Sequence, residues 1–491
     1  MDCADCRAHF PRHDYSYCSA KEPTWRDACG VFGIWGPGED VARLTFFGLY
    51  ALQHRGQESA GIAVGDGTDV RCHCGLGLAS QVFDEASISS LKGDVAVGHV
   101  RYSTTGGNVM CNVQPILDEH KSGQFAVAHN GNLINALALR QEMERLGEVF
   151  ERTTDTEIIA KLIHRSPADT LEEAIADAMQ QMQGAYSLAI GTADRLIAVR
   201  DPHGVRPLCL GRMNGCWVTA SETCALSVLG AEFVREVQPG EIVTVDARGE
   251  TVIQAVDPQR RACCVFEFIY FARPDSHIYG KNVYMSRLRM GQLLALQAPA
   301  EADLVIGIPE SAIPHAMGFA EAADIPYGEG FIKNRYIHRT FIMPDQRLRE
   351  AGVHMKLAPL REAVAGKRLV VVDDSIVRGT TTGPEMALLR EAGARDIHLR
   401  ISCPPIRFPC FYGIDTSTRR ELIAARKSVP EIREHVGSDS LEYLDIENLV
   451  RAIGLPKVNF CTACFDEQYP IPVASDVMVS KYDLEESKVG R

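Results

Sequence analysis

No stretch narrows the choice of fold more than residues 369–381, L-V-V-V-D-D-S-I-V-R-G-T-T. Four apolar residues run without interruption into two adjacent acids. A run of that composition reads as a strand buried on both faces, as in a parallel sheet. Met386, Leu388, Leu389 and Ala392 then follow with helical spacing, and Pro384 falls near the first turn. Asp373 and Asp374 therefore stand at the carboxyl end of a strand, ahead of a helix N-terminus. Open α/β sheets bind phosphorylated ligands at that position. The Gly/Thr-rich turn offers backbone N–H groups and hydroxyls that suit a phosphate monoester. The two acids suit sugar hydroxyls, a developing cation or a metal ion instead. Together these are the requirements of a phosphorylated ribose.

The remaining bounds are broad. A chain of 491 residues is too long for one ordinary core, so two large domains are expected. A hydrophobic share of 46% and a charged share of 23% describe a soluble globular protein. No apolar run approaches the ~18–20 residues that span a bilayer. Residues 1–28 carry no continuous apolar segment of the secretory kind. A formal charge of −13 argues against a general nucleic-acid binder. Sixteen cysteines without a signal peptide point to a reducing cytoplasm. Grouped cysteines there imply metal, cluster or catalysis before disulfides. A cytoplasmic protein without nucleic-acid or membrane partners is expected.

The 369–381 stretch resembles the phosphoribosyl-pyrophosphate (PRPP) motif of type I phosphoribosyltransferases. In this spelling it resembles the amidophosphoribosyltransferase (glutamine PRPP amidotransferase) family. Residues 29–34, C-G-V-F-G-I, are similar to the start of class II glutamine amidotransferases, which are N-terminal-nucleophile hydrolases. The resemblance implies that Cys29 becomes the first residue when a propeptide, 1–28, is removed. The freed α-amino group then serves as the base a nucleophile needs. Cys3 and Cys6 in that leader have no second ligand pair at finger spacing, so an irregular leader is favoured over a zinc site. Further family motifs follow in order at 53–61, 98–104, 128–133, 154–157, 184–187 and 200–208. The 98–104 and 128–133 motifs are expected just after strands at 94–97 and 125–127. Arg101 suits the glutamine carboxylate and Asp155 its ammonium. The resemblance makes Asn130 and the N–H of Gly131 the oxyanion hole, and places Gly56 where a side chain would crowd the nucleophile. His54, His99 and His129 are read as structural. Cys72 and Cys74 are read as packing on one face of a strand.

Residues 265–276, V-F-E-F-I-Y-F-A-R-P-D-S, resemble the domain-junction signature of the same family. A strand at 303–308 ends in Pro309-Glu310-Ser311, and Ser311 is carried over as a Mg²⁺ or PRPP contact. Residues 331–360 hold Lys333, Arg335, Arg339, Arg347, Arg349 and Lys356 with little apolar periodicity, and are read as a basic lid over PRPP. Asp373 and Asp374 are expected to hold ribose hydroxyls, directly or through one Mg²⁺. Ser375, Arg378, Gly379, Thr380 and Thr381 form the 5′-phosphate cradle. The cluster-bearing branch of the family implies one [4Fe–4S] cluster per subunit on Cys264, Cys410, Cys461 and Cys464. A Cys₄ zinc site competes with it, and Cys263 and Cys403 stand close enough in sequence to compete as ligands.

The resemblance implies an αββα glutaminase sandwich over 29–258, then a parallel-sheet α/β phosphoribosyltransferase domain with a cluster-binding tail over 259–491. It implies conversion of glutamine and PRPP to 5-phosphoribosylamine, glutamate and pyrophosphate in purine synthesis, with ammonia passing internally from Cys29. A homotetramer inhibited by purine nucleotides is expected. Asparagine synthetase and glucosamine-6-phosphate synthase share the first half of the pattern but lack the 369–381 stretch, and no S-G-G-x-D-S loop occurs here. A non-enzymatic PRPP sensor would predict loss of the glutaminase residues, all of which are present.

Overall fold

The computed structural model describes residues 29–102, 106–334, 357–414, 416 and 418–473. The leader 1–28, Ser103 and Thr104 of one glutaminase motif, and Arg335, Arg339, Arg347, Arg349 and Lys356 of the basic stretch lie outside the described residues. No described helix is long and apolar enough to cross a membrane.

Two antiparallel sheets build the first half. One is seven-stranded, in the order Glu232–Glu236, Cys209–Met213, Cys216–Ala220, Gly30–Trp35, Val95–Arg101, Ser59–Gly65 and Val70–Leu76. The other is six-stranded, in the order Gly249–Gln254, Glu241–Asp246, Leu196–Arg200, Gly184–Thr192, Gly123–Leu133 and Ile116–His120. The strand period of two sorts side chains between layers. Val31, Ala126 and Ala128 turn inward into a core shared by both sheets, with Ala63, Val97, Ala189 and Ala198. Small residues there let the sheets approach closely. Phe32 and Ile34 turn outward under helices Val41–Ala51 and Thr223–Leu229. Phe125 and Val127 turn outward under helices Asp155–Arg165 and Leu171–Gln181. The result is the αββα sandwich.

Two strands are longer than the sequence suggests. The expected strands at 94–97 and 125–127 are Val95–Arg101 and Gly123–Leu133. Arg101 and Asn130 are therefore strand residues rather than loop residues. Each has a partner that continues the ladder, Arg101 opposite Ser59 and Asn130 opposite Ser187. Pairing with those neighbours outweighs the turn preference of an Asn-Gly pair.

The second half is a four-stranded parallel sheet, in the order Leu304–Gly307, Arg368–Asp373, Asp396–Ile401 and Ser440–Tyr443. The apolar run at 369–372 is fully buried in its interior. Ala316 and Phe319 of helix Ile313–Ala323, Met386 and Leu389 of Thr382–Glu391, and Ile432 and Val436 of Val429–Val436 pack in the same core. Helix Val283–Gln297 lies against Ile313–Ala323 so closely that a Cβ on Gly291 would fall 1.8 Å from the His315 carbonyl oxygen. Cys263–Cys264 pairs in parallel with Phe460–Cys461, tying the junction to the C-terminal part.

Candidate active sites

Cys29 precedes the first strand and is buried. Its Sγ donates to the Tyr102 carbonyl at 3.1 Å, and the Tyr102 N–H donates back at 3.4 Å. The thiol is thus held at the end of the adjacent strand Val95–Arg101. Burial pushes the thiol up to about 12, against Arg101 and with Asp155 and Glu58 adding to the rise. A thiol in that state needs a base to become a nucleophile. Arg101 is buried and donates from Nη1 and Nη2 to the Gly107 and Gly106 carbonyls, each at 3.1 Å. Asp155 opens its helix, and its Oδ2 accepts from the Leu133 N–H at 3.0 Å. The charges of Arg101 and Asp155 both act on the Cys29 thiol, and that of Asp155 also acts on Arg101, so the three lie in one site.

Asn130 is fully buried. Its Nδ2 donates to Ser221 Oγ at 3.5 Å, while its Oδ1 has no hydrogen-bond partner among the described residues. Ser221 Oγ also accepts from the Val31 N–H at 2.9 Å, which places Asn130 beside the Cys29 strand. Gly131 has φ +152°, and a Cβ there would fall 2.0 Å from the Ala185 carbonyl oxygen. A Cβ on Gly56 would lie 2.6 Å from the Val100 carbonyl and 2.7 Å from the Arg101 carbonyl carbon, against the backbone that leads to Tyr102.

At the second site Asp373 ends its strand and Asp374 follows, both buried. Ser311 Oγ donates to Asp374 Oδ2 at 2.5 Å and Ser375 Oγ donates to Oδ1 at 2.5 Å. The Asp374 N–H donates to Asp373 Oδ1 at 2.9 Å. Burial, then Asp374, then Glu385 push Asp373 well above the usual carboxylate range. Burial raises Asp374 too, opposed by the two serines and by Arg287. Lys333 Nζ lies 3.3 Å from Glu310 Oε2, so the basic segment's first residue reaches the Pro309-Glu310-Ser311 turn. Arg378 donates to Glu421 Oε2 at 2.5 Å, on the flank of the turn. Gly379 has φ +76°, and Thr380 and Thr381 lead directly into helix Thr382–Glu391.

Cys264, Cys410, Cys461 and Cys464 line one cavity of about 20 Å³, together with Arg206, Tyr412 and Tyr469. All four are free thiols. Cys263 and Cys403 do not line it; their Sγ atoms point to the Cys264 and Pro404 carbonyls at 3.8 and 3.3 Å. Among the described residues no three His, Cys, Asp or Glu side chains are arranged around a single metal ion. Cys72 and Cys74 share a strand face with their Sγ atoms 3.0 Å apart.

Sequence reasoning missed a buried charge network between the halves. Arg55 Nη1 donates to Glu222 Oε1 at 2.6 Å and to Glu267 Oε2 at 2.9 Å, and its Nε donates to the Cys29 carbonyl at 3.0 Å. Arg206 Nη1 donates to Glu267 Oε1 at 3.2 Å. All four charged side chains are buried. Burial penalises the charge on Glu222, yet His54 and Arg55 hold its carboxyl far below the usual range. The one available signal was an acid alone inside the apolar run V-F-E-F-I-Y-F. An isolated acid there must find a cation when buried. Ser221 gave no signal at all.

A family profile described as a glutamine amidotransferase domain matches residues 99–228. The amidophosphoribosyltransferase of Synechococcus elongatus is 52% identical over 466 residues, 94% of each chain. That of Bacillus subtilis is 48% identical over 458 residues, 92% of this chain and 96% of its own. A solved structure of glutamine PRPP amidotransferase from B. subtilis, complexed with ADP and GMP, matches with a TM-score of 0.87 at 48% identity, covering 91% of this chain and 98% of that one. Matches of that extent take in both halves of the chain, and the chain belongs to the amidophosphoribosyltransferase family.

Proposed function

We propose that this chain moves the amide nitrogen of glutamine onto PRPP, giving 5-phosphoribosylamine, glutamate and pyrophosphate at the first step of purine synthesis. The observation that carries the reading is the pairing of two sites in one buried assembly. Cys29 with Arg101 and Asp155 lies on one side, and Asp373 and Asp374 at a phosphate-binding turn lie on the other. Residues 29–258 and 259–491 are taken as the two domains.

Arg101 takes the glutamine carboxylate and Asp155 its ammonium, so the amide carbon faces Cys29. Removal of the 1–28 propeptide frees the Cys29 α-amino group, whose ordinary pKa near 8 suits it to take the thiol proton. Attack forms a tetrahedral oxyanion opposite Asn130 and the Gly131 N–H. Collapse gives a thioester and ammonia, and water releases glutamate. Ammonia passes internally to the second site. There Ser375, Arg378, Gly379, Thr380 and Thr381 hold the 5′-phosphate, with Lys333 on the pyrophosphate side. Asp373 and Asp374 hold ribose hydroxyls and face positive charge at the anomeric carbon as pyrophosphate leaves.

Two groups fit the residues present. Neither Asp373 nor Asp374 is ion-paired among the described residues, and two adjacent buried carboxylates without a cation in contact suit one. One Mg²⁺ would be held by Ser311, Asp373, Asp374 and pyrophosphate oxygens, and would neutralise charge on the leaving group. The cavity's donor set is four cysteines without His, Asp or Glu, which suits iron–sulfur. One [4Fe–4S] cluster would be held by Cys264, Cys410, Cys461 and Cys464 and would tie three chain segments together. Feedback by purine nucleotides, a homotetramer and a cytoplasmic location complete the proposal; the ADP and GMP of the B. subtilis structure support the first.

The test is anaerobic assay with PRPP and Mg²⁺. Wild type should release glutamate from glutamine, and Cys29→Ala should lose glutamine-dependent product while keeping ammonia-dependent product. No glutamate release from wild type would reject the reading. Iron and acid-labile sulfide analysis separates cluster from zinc, and the N-terminal mass of active protein tests removal of 1–28.

A further inference from the structure

Ser221 is buried one residue beyond the strand Cys216–Ala220, where it grips the nucleophile strand twice. Its N–H donates to the Val31 carbonyl at 3.0 Å, and its Oγ accepts from the Val31 N–H at 2.9 Å. Val31 lies two residues after Cys29. Asn130 stands on the other sheet, opposite Ser187, and its side chain crosses to Ser221. The hydrogen bonding between the two side chains does not balance. A hydroxyl has one proton to give and two lone pairs to fill. Ser221 Oγ accepts from both Val31 and Asn130 and donates to none of the described residues. Asn130 Oδ1, fully buried, accepts from none of them. The Nδ2 contact that is made is 3.5 Å long, against about 2.9–3.0 Å for an ordinary N–H···O bond. A donor without an acceptor thus lies beside an acceptor without a donor, and buried polar groups rarely stay so.

We propose that Ser221 is a positioning residue for the oxyanion-binding amide: its hydroxyl donates to Asn130 Oδ1 and so turns Nδ2 toward the reacting carbonyl of glutamine. The proposal rests on the reading of Asn130 and the Gly131 N–H as the oxyanion hole. Half a turn about the Asn130 Cβ–Cγ bond exchanges Oδ1 and Nδ2. Ser221 then accepts from the Val31 N–H and donates to Oδ1, so its proton and the Asn130 oxygen are both used. Nδ2 is released from Ser221 and takes the buried place that Oδ1 held. A donor freed in this way meets its acceptor when the amide carbon becomes tetrahedral and its oxygen takes charge, and so favours that state over the ground state. The opposite orientation would set one oxygen against another. Because Ser221 is anchored to Val31, the same hydroxyl ties the amide on one sheet to the strand that follows Cys29 on the other.

A double-mutant cycle tests this with Ser221→Ala, Asn130→Ala and the two together. Each is assayed for glutamine kcat and KM, for Cys29 alkylation by iodoacetamide, and for ammonia-dependent phosphoribosylamine formation with PRPP and Mg²⁺, which reports folding. Displacement at the iodoacetamide carbon forms no oxyanion, so alkylation follows the thiol and its strand alone. Ser221→Ala should lower glutamine kcat about tenfold, the rate worth of one lost hydrogen bond. KM and alkylation should stay within about twofold of wild type. Asn130→Ala should lower kcat ~10²–10³-fold. The double variant should match Asn130→Ala within about twofold, because Ser221 acts through that amide. Ser221→Thr keeps the hydroxyl and should hold kcat within about threefold of wild type. A full loss from Ser221→Ala repeated in the Asn130→Ala background overturns the proposal, since Ser221 would then act through Val31. Alkylation and kcat falling together in Ser221→Ala overturn it too, as does an unchanged kcat or a loss in Ser221→Thr equal to that in Ser221→Ala. Full glutamine turnover by Asn130→Ala rejects the oxyanion reading itself and the proposal with it, so that failure is told apart from the others by a variant in which Ser221 is intact.

Discussion

Replacing Gly131 by alanine tests the oxyanion hole most directly. A Cβ there would sit 2.0 Å from the Ala185 carbonyl oxygen, 2.6 Å from the Ala185 carbonyl carbon and 2.9 Å from His129 Nε2. An ordinary carbon–oxygen contact is about 3.2–3.5 Å, so the strands must part by more than about 1 Å. The φ of +152° adds strain that only glycine avoids. The adjusting segment is Gly123–Leu133, where Gly131 pairs with Tyr186 and Asn132 with Ala185. Asn130 and the Gly131 N–H therefore leave their positions together. A displacement of about 1 Å costs ~10²-fold in rate, and loss of one oxyanion donor costs ~10²–10³-fold. Glutamine-dependent kcat should fall ~10²–10³-fold, with a stability loss of about 1–3 kcal/mol from the strained backbone. Ammonia-dependent product formation uses only the PRPP site and should stay within about threefold, a change worth under 1 kcal/mol. Steady-state assays with each nitrogen donor, beside a thermal melt, make the comparison. Glutamine-dependent activity within about threefold of wild type would show that Asn130 and Gly131 are not where the oxyanion forms.

The cavity cysteines make a second prediction. Cys410→Ser should abolish iron and sulfide binding, while Cys263→Ser should leave both unchanged. The Cys410 loop also presents the Phe411 carbonyl to Asn132 Nδ2 at 3.0 Å and the Tyr412 carbonyl to Arg206 Nη2 at 3.0 Å. Loss of the loop should therefore lower glutamine-dependent activity more than ammonia-dependent activity, as assays with the two donors would report. A third concerns pH. Burial first, then Arg101, lowers His99 from 6.5 to about 3, and burial first, then Arg287, does the same for His315. Each ring bonds a carbonyl through Nε2, and among the described residues His99 Nδ1 is buried without a partner, so burial favours the neutral ring. Their folded values are depressed, so below about 6.5 the unfolded chain binds the extra protons. Stability should fall as pH drops from about 6.5 toward 3, by up to about 1.4 kcal/mol per pH unit for each histidine. Denaturant melts at a series of pH values measure the slope, which should flatten in His315→Gln.

Much of this molecule follows from local pattern. The run at 369–372 has the composition of an interior strand and is one, and Asp373 and Asp374 fall at its end because the run stops there. The αββα layers were not visible in the same way. They depend on small residues such as Ala126 and Ala128 facing Val31 and Val97 across two sheets, and alternation within one strand does not say what lies opposite. Arg101 and Asn130 stand out in the sequence as candidate site residues, but not as strand residues. Their chemistry is carried by motif, whereas their conformation is set by Ser59 and Ser187 on neighbouring strands. Ser221 illustrates the limit. It contacts both Asn130 and the Val31 N–H, yet a serine before Glu222 has no local feature that marks it.

The junction carries the same lesson into energetics. Glu267 lies between Phe266 and Phe268, both fully buried, so by composition the segment should be pure core. A buried charged assembly is seldom more stable than an apolar one of the same shape, because the desolvation cost offsets the attraction. Arg55, Arg206, Glu222 and Glu267 therefore do not explain themselves as glue between domains. What an apolar replacement would lose is direction. Arg55 can hold the Cys29 carbonyl only while its other donors are occupied by Glu222 and Glu267, and Arg206 can hold the Tyr412 carbonyl beside the cysteine cavity only while Glu267 balances it. Glu267 thus fixes the nucleophile strand and the cavity loop from one carboxylate. The charges at this interface set the positions of the groups that do chemistry, and apolar packing around them supplies the stability.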